Sequence, residues 1–215
     1  MNIIWDFNGT IIDDLDLCLN ILNEMLADKG LKRVSKKRYL EIFTFPIKDY
    51  YLLAGFNFEG YTFEDIGKEF ISKYQTASLS QPLHKGVLQC LQVIKDLGFK
   101  QYLLSASQKD NLLQQVKHFQ IEKYFDEILG IDNILAKGKA DIAVNYFQDH
   151  DINLDNTIII GDTLHDAQVA NTLKCDIILY TGGHQSYHRF TGFKTFNDYQ
   201  QLLREIKTWQ NKKKK

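Results

Sequence analysis

The 215-residue sequence has no excess of charge of either sign and no internal repeat, and its only low-complexity stretch is the final lysine run. It also has no uninterrupted apolar run near the ~18 residues that a bilayer span needs, so a membrane-embedded protein is not expected. A formal net charge of −1 gives no electrostatic footprint for nucleic acid. The three cysteines, Cys18, Cys90 and Cys175, are scattered and in no metal-ligand spacing, which argues against both a disulfide framework and a structural zinc. From Met1 and Asn2 the chain runs straight into "IIWD", without a basic region or a small-residue cleavage site. A secretory leader is therefore not expected, and a cytoplasmic location is. The closing "NKKKK" reads as a solvated, frayed tail.

Four short β-branched or aromatic runs, each followed by polar residues, read as strands: "NIIWDF", "KQYLLSAS", "NTIIIGD" and "CDIILYTGG". A further short strand is expected at "EILG". Between them "GVLQCLQVIKDLG", "QKDNLLQQVKHF" and "KADIAVNYFQDH" carry apolar residues at helical spacing, the first ending on Gly98. Strand and helix alternate from about Gly86 onward, so the expected fold is α/β, a doubly wound parallel sheet covered by helices on both faces. Residues 15–82 break the alternation. They read as helical, with Ser35 and Thr62 as capping candidates, and form an inserted helical cap between core segments 1–14 and 83–215. Its aromatic middle (Tyr50, Tyr51, Phe56, Phe58, Tyr61 and Phe63) reads mainly as the core of a small bundle.

In an open parallel sheet ligands sit beyond the carboxyl ends of the strands. The first strand delivers Asp6, Asn8 and Thr10 there, and the second delivers Ser105 and Ser107. The segment after "EILG" delivers Lys137 and Lys139, and the "IIIGDTLHD" strand delivers Asp162 and Asp166. Carboxylates gathered in this way make a hard oxygen site suited to Mg²⁺. A hydroxyl and a lysine add the donor and the charge that phosphoryl oxygens require. His165 and His184 fall in strand-end loops and are candidates to line such a site, whereas His84, His118 and His150 read as surface or boundary residues.

"IIWDFNGT", "YLLSAS", "AKGKAD" and "GDTLHD", in this order and with a helical insertion after the first, resemble the four signatures of the haloacid dehalogenase superfamily. The resemblance is to its Mg²⁺-dependent phosphatase branch with a helical cap, similar to phosphoglycolate phosphatases. It implies that Asp6 is the nucleophile that forms an aspartyl-phosphate. It implies phosphate contacts from Gly9, Thr10, Ser105, Ala106 and Lys139, and Mg²⁺ held by Asp6, Asn8, Asp162 and Asp166. Both lysines of "KGK" compete for one role, and the family register favours Lys139 over Lys137.

Asn8 departs from the pattern, which has an aspartate there. The backbone carbonyl can still reach a metal, but an amide cannot perform the general acid–base step, typically worth ~10²–10⁴-fold. The expected activity is hydrolysis of a small phosphorylated metabolite by a monomer or weak homodimer, with good leaving groups suffering least and phosphomutase chemistry disfavoured. Two other readings stay open. One is a phosphonate hydrolase, which would need a cap lysine (Lys29, Lys32, Lys48 or Lys68); the other is a low-turnover phosphometabolite-binding or regulatory protein. Dehalogenase chemistry fits worst, since it leaves Asp162 and Asp166 unexplained. Phe45, Pro46 and Lys48, in the "FTFPIKDYY" segment read as a loop, are the expected determinants of substrate specificity.

Overall fold

The computed structural model describes residues 1–131 and 138–213, so Lys137 lies outside the described residues. Six parallel strands form one sheet: β1 (Asn2–Trp5), β2 (Lys100–Gln108), β3 (Glu127–Ile131), β4 (Thr157–Gly161), β5 (Asp176–Tyr180) and β6 (Thr195–Phe196), in the spatial order β3-β2-β1-β4-β5-β6. This is the doubly wound order, and its direction reverses between β1 and β4.

Side-chain alternation along β1 explains why both faces are covered. Ile3 and Trp5 enter one core with Leu103, Ile158 and Ile160, while Ile4 enters another with Tyr102, Leu104 and Ile159. The first core is closed by α5 (Val87–Asp96), α6 (Lys109–His118) and α9 (Tyr199–Lys213). The second is closed by α7 (Lys139–Asp149) and α8 (Leu164–Leu173). One polar demand inside the first core is met from the neighbouring strand, since the Trp5 indole N–H donates to Gln101 Oε1 over 3.0 Å.

The frayed tail expected at "NKKKK" is helical through Lys213, as the end of α9. Tyr199, Leu202, Leu203, Ile206 and Trp209 recur at helical spacing and are buried against the sheet. The Trp209 indole donates to Asp176 over 2.7 Å, and Lys213 pairs with the same carboxylate at 3.1 Å, so the helix continues into the lysine run.

Between β1 and α5 lie four helices: α1 (Leu15–Asp28), α2 (Lys36–Ile42), α3 (Ile47–Ala54) and α4 (Phe63–Ser78). They share a separate hydrophobic cluster around Leu22, Met25, Tyr39, Tyr51 and Phe56. Ser35 accepts from the Arg38 amide and Thr62 from the Asp65 amide, as their positions ahead of apolar helices lead one to expect. The chain leaves and re-enters the sheet layer at one place. Asp13 N–H donates to the Pro82 carbonyl over 2.9 Å and His84 N–H to the Ile11 carbonyl over 2.9 Å. The "FTFPIKDYY" segment is only partly a loop, because α3 begins at Ile47 directly after Pro46.

Candidate active site

Asp6 follows the last residue of β1, and its amide donates to the Ile160 carbonyl of β4 over 2.8 Å. Asp162 follows β4, so the two acids stand side by side at the point where the sheet reverses. Lys139 is the first residue of α7, an unfavourable place for a cation in the helix dipole. Its ammonium is held there by two carboxylates: it bonds Asp6 Oδ1, and Asp166 Oδ1 at 2.5 Å. The other oxygen of Asp166 accepts from the Thr163 amide at 3.0 Å and the Thr163 hydroxyl at 2.7 Å, which closes the start of α8. Thr10 donates within reach of Asp6 Oδ2 and Asp162 Oδ1, each 3.2 Å away.

Close packing behind these acids is possible only through glycine. At Gly9, with φ of +71°, an added Cβ would lie 2.4 Å from both Asp162 Oδ2 and the His184 ring. At Gly183 it would lie 2.2 Å from the same carboxylate oxygen.

Asp6, Asp162 and Asp166 present oxygens within 4.8 Å of one another, and all three residues are buried. Burial raises the Asp6 carboxyl to about 6 against the pull of Lys139, and burial together with neighbouring acids pushes Asp162 well above the ordinary carboxylate range. For Asp166, burial is outweighed by Lys139 and the Thr163 hydroxyl, and its carboxyl is lowered. Lys139 is raised: its burial is outweighed by Asp166 and Asp6. Three buried acids against one lysine leave negative charge uncompensated, and the donors are hard oxygens. The oxygens of Asp6, Asp162 and Asp166 therefore fit a divalent cation of the Mg²⁺ type.

Asn8 is enclosed by partners. Its amide nitrogen donates to Asp14 Oδ2 at 3.0 Å and to the Tyr74 hydroxyl at 2.6 Å, while its oxygen faces the Ser107 and Ser105 hydroxyls at 3.2 and 3.4 Å. This amide orientation follows from chemistry, because an ionised Asp14 only accepts. Asp14 was not singled out in the sequence, yet it is fully buried and takes donors from Gly9 N–H (2.8 Å), Tyr74 (2.6 Å), Asn8 and His184 Nε2 (3.1 Å). His184 lies with Nδ1 2.8 Å from the Tyr39 hydroxyl. Burial opposes charge on this ring, but Asp14 overrides it and raises His184 to about 9; the Asp14 carboxyl, for which burial is likewise outweighed by His184, is lowered. Asp14, Cys18 and His184 also lie within 4.8 Å of one another, but the carboxylate already has five donors, the Cys18 thiol at 3.8 Å among them, so His184 and Asp14 form an ion pair rather than a second cation site.

These side chains line or underlie one cavity of about 480 Å³, walled by Asp6, Asn8, Ser105, Ala106, Lys139, Asp162 and Asp166 on the sheet side, with His165 and His184 among them. Some expected roles shift. The Gly9 amide donates to Asp14 and to the Ile12 carbonyl, and is thus committed away from a phosphate. Thr10 is fully buried and serves the two carboxylates. His84, read as a surface or boundary residue, is buried with Nε2 3.0 Å from the Gly9 carbonyl. Phe45 lines the cavity, stacked 4.3 Å from His165, whereas Pro46 is exposed and Lys48 points from α3 to within 5.9 Å of the Phe58 ring. The wall missed in the sequence is Phe63, Gly67, Phe70, Ile71 and Tyr74 of α4. Their spacing of four, three, one and three residues was a legible helical stripe, but it also fits packing in a bundle.

A reversing parallel sheet with acids and a lysine at its carboxyl edge defines a hydrolase of the phosphoryl-transfer type. Residues 3–180 match the model of the haloacid dehalogenase-like hydrolases, and the chain belongs to that family. It is 22% identical over 187 residues to a phosphoglycolate phosphatase of Rhodobacter capsulatus, covering 85% of each chain. It is also similar to a predicted phosphatase from Clostridium acetobutylicum (TM-score 0.79, 19% identity, 95% of this chain and 97% of that one). A CbbY variant from Rhodobacter sphaeroides, solved in complex with xylulose-1,5-bisphosphate, has a TM-score of 0.72 at 17% identity, over 92% of this chain and 94% of that one. None of the described helices is long and apolar enough to cross a membrane.

Proposed function

We propose that the protein is a Mg²⁺-dependent phosphomonoester hydrolase acting on a small phosphorylated metabolite, with residues 1–14 and 83–215 as catalytic core and 15–82 as a cap. The observation that carries this reading is the Lys139 ammonium shared between Asp6 and Asp166 beside Asp162. An oxygen of Asp6 attacks phosphorus, the ester P–O bond breaks and the alcohol leaves. Water then attacks the phosphorus of the aspartyl-phosphate, releasing inorganic phosphate and restoring Asp6. Lys139 and Ser105 hold phosphoryl oxygens next to the exposed Ala106 backbone, and Thr10 keeps Asp6 and Asp162 in register. Bound Mg²⁺ would supply charge neutralisation on those oxygens. Asn8 has no proton to give, so alcohols that leave readily as anions are served best. Three cysteines that stay as thiols suit a reducing cytoplasm.

The phosphonate reading needs a cap lysine at the reacting carbon. The described cavity wall contains none: Lys29 pairs with Glu69 at 2.6 Å, and Lys32, Lys48 and Lys68 are exposed. The test is phosphate release from an aryl phosphate with Mg²⁺ and with chelator, for the natural protein and for Asp6→Asn. Release that needs metal and falls below about one percent in Asp6→Asn is expected, since loss of a nucleophile costs orders of magnitude. No release from the natural protein would favour the binding or regulatory reading.

A further inference from the structure

The cavity has two chemically opposite halves. The sheet side carries Asp6, Asp14, Asp162 and Asp166, while the cap side is mostly aromatic and aliphatic, built from the α4 stripe together with Phe43, Phe45 and Ile47. Among the described lining residues, Lys139 is the sole ammonium or guanidinium, and it is already shared by Asp6 and Asp166. Of the two lining histidines, His184 is held between Asp14 and the Tyr39 hydroxyl, and His165 lies flat against Phe45. The remaining polar groups are uncharged, amides such as Gln75 and Asn111 and the hydroxyls of Tyr39, Tyr50, Tyr51 and Tyr74.

A carboxylate or second phosphate on the leaving group would thus enter an aromatic wall where no described residue offers a free counter-charge, next to four acids. Such a group loses hydration and regains nothing. An uncharged ring or branched chain would instead exchange water for the α4 stripe. Gly67 keeps that space open. A Cβ there would meet nothing within 4 Å, although the residue sits inside a helix where glycine is otherwise unfavourable. The cavity volume, about 480 Å³, exceeds what a phosphoryl group occupies and lies in the usual small-ligand range.

We propose that the leaving group of the natural substrate is an uncharged, bulky apolar alcohol, aromatic in preference, so that the enzyme acts on an apolar phosphomonoester and not on a small phosphorylated acid. The inference rests on the phosphatase reading above. The test compares benzyl phosphate, ethyl phosphate and 2-phosphoglycolate, three esters of primary alcohols, in the full chain with Mg²⁺, with acetyl phosphate as a reference of high intrinsic reactivity. The expected kcat/KM for benzyl phosphate is at least ~10-fold above both other esters, given the apolar area such a ring buries. A ratio below that against either overturns the proposal while acetyl phosphate turnover leaves the phosphatase reading standing. No release from any of the four overturns the phosphatase reading and this inference with it. Gly67→Leu, checked for a native melting transition, should lower the benzyl-to-ethyl ratio by ~10-fold through lost cavity volume; an unchanged ratio in the folded variant places the ring elsewhere and overturns the assignment.

Discussion

The side-chain amide of Asn8 donates to the carboxylate of Asp14 across 3.0 Å, so the amide in the loop after β1 is bound to a buried acid behind it. An aspartate at position 8 would set two carboxyls against each other at that distance. Asp14 keeps the His184 partner and stays ionised, so the new carboxyl is the one whose proton is retained.

Asn8→Asp is therefore expected to act in two ways. A carboxyl whose folded pKa is raised destabilises progressively as pH climbs from its unfolded value of about 4, so the loss, about 1–2 kcal/mol, grows toward neutral pH. The same retained proton is available to a leaving alcohol, so alkyl phosphate hydrolysis should gain ~10-fold and aryl phosphate hydrolysis less. Melting curves across pH and the two classes of substrate check both. A melting difference that does not change with pH would remove the contact with Asp14 as the cause.

The His184–Asp14 pair predicts an alkaline limit in the metal-free protein. His184 is raised from 6.5 to about 9, so its contribution is complete below pH 6.5 and is lost as pH rises through 9. The contribution is on the order of 3 kcal/mol for such a shift in a buried group. With chelator present, the melting temperature should fall across this window. In His184→Gln it should start lower and stay level, and a parallel fall in the variant would assign the transition to other groups.

How much of this was legible depended on whether a residue's task was local. Asp6, Asp162 and Lys139 stand at strand or helix ends whose hydrophobic runs announce themselves, so topology brings them together from the sequence alone. Asp14 could not be told from Asp13, since both precede α1. One is fully buried under five donors while the other is half exposed, and the difference is set by His184, 170 residues away. The α9 stripe was readable as a helix, but the lysine run drew attention to charge; Asp176, far off in sequence, is what holds its end. Tyr74 and Gly67 shared a pattern with ordinary bundle packing, and only the placement of α4 over the sheet edge gives that face a cavity to line.

Asp162→Asn separates a metal site from an acidic cluster of another purpose. In the metal-free protein burial already disfavours the charged form of Asp162, so an amide of the same shape should leave the melting temperature in chelator undiminished despite the altered contacts with Thr10 and the His184 amide. The natural protein should gain stability with added Mg²⁺ by linkage, ~2.7 kcal/mol at a hundredfold excess over Kd, and the variant should lose most of that gain. An equal Mg²⁺ response in both would place the ion away from Asp162.

Tyr74 joins α4 to the loop after β1: its hydroxyl donates to Asp14 Oδ2 and accepts from Asn8 Nδ2, each at 2.6 Å. Its phenol is raised far beyond its ordinary range, chiefly by burial and then by Asp14, so it acts throughout as a neutral donor. Tyr74→Phe keeps the ring in the cavity wall and removes both bonds, leaving Asp14 with its donors from Gly9, His184 and Asn8. Stability should fall by about 1–2 kcal/mol, the usual cost of an unmet buried group. These two bonds tie α4 to the loop after β1, so their loss is expected to loosen the cavity wall that α4 supplies and to weaken capture of substrate. The reacting groups Asp6, Lys139 and Asp162 are not touched by Tyr74, and kcat should change little while KM rises by ~10-fold, the equivalent of that stability loss. Faster amide exchange along α4 should accompany the higher KM. A fall in kcat at constant KM would instead put the hydroxyl at the chemical step, acting through Asn8.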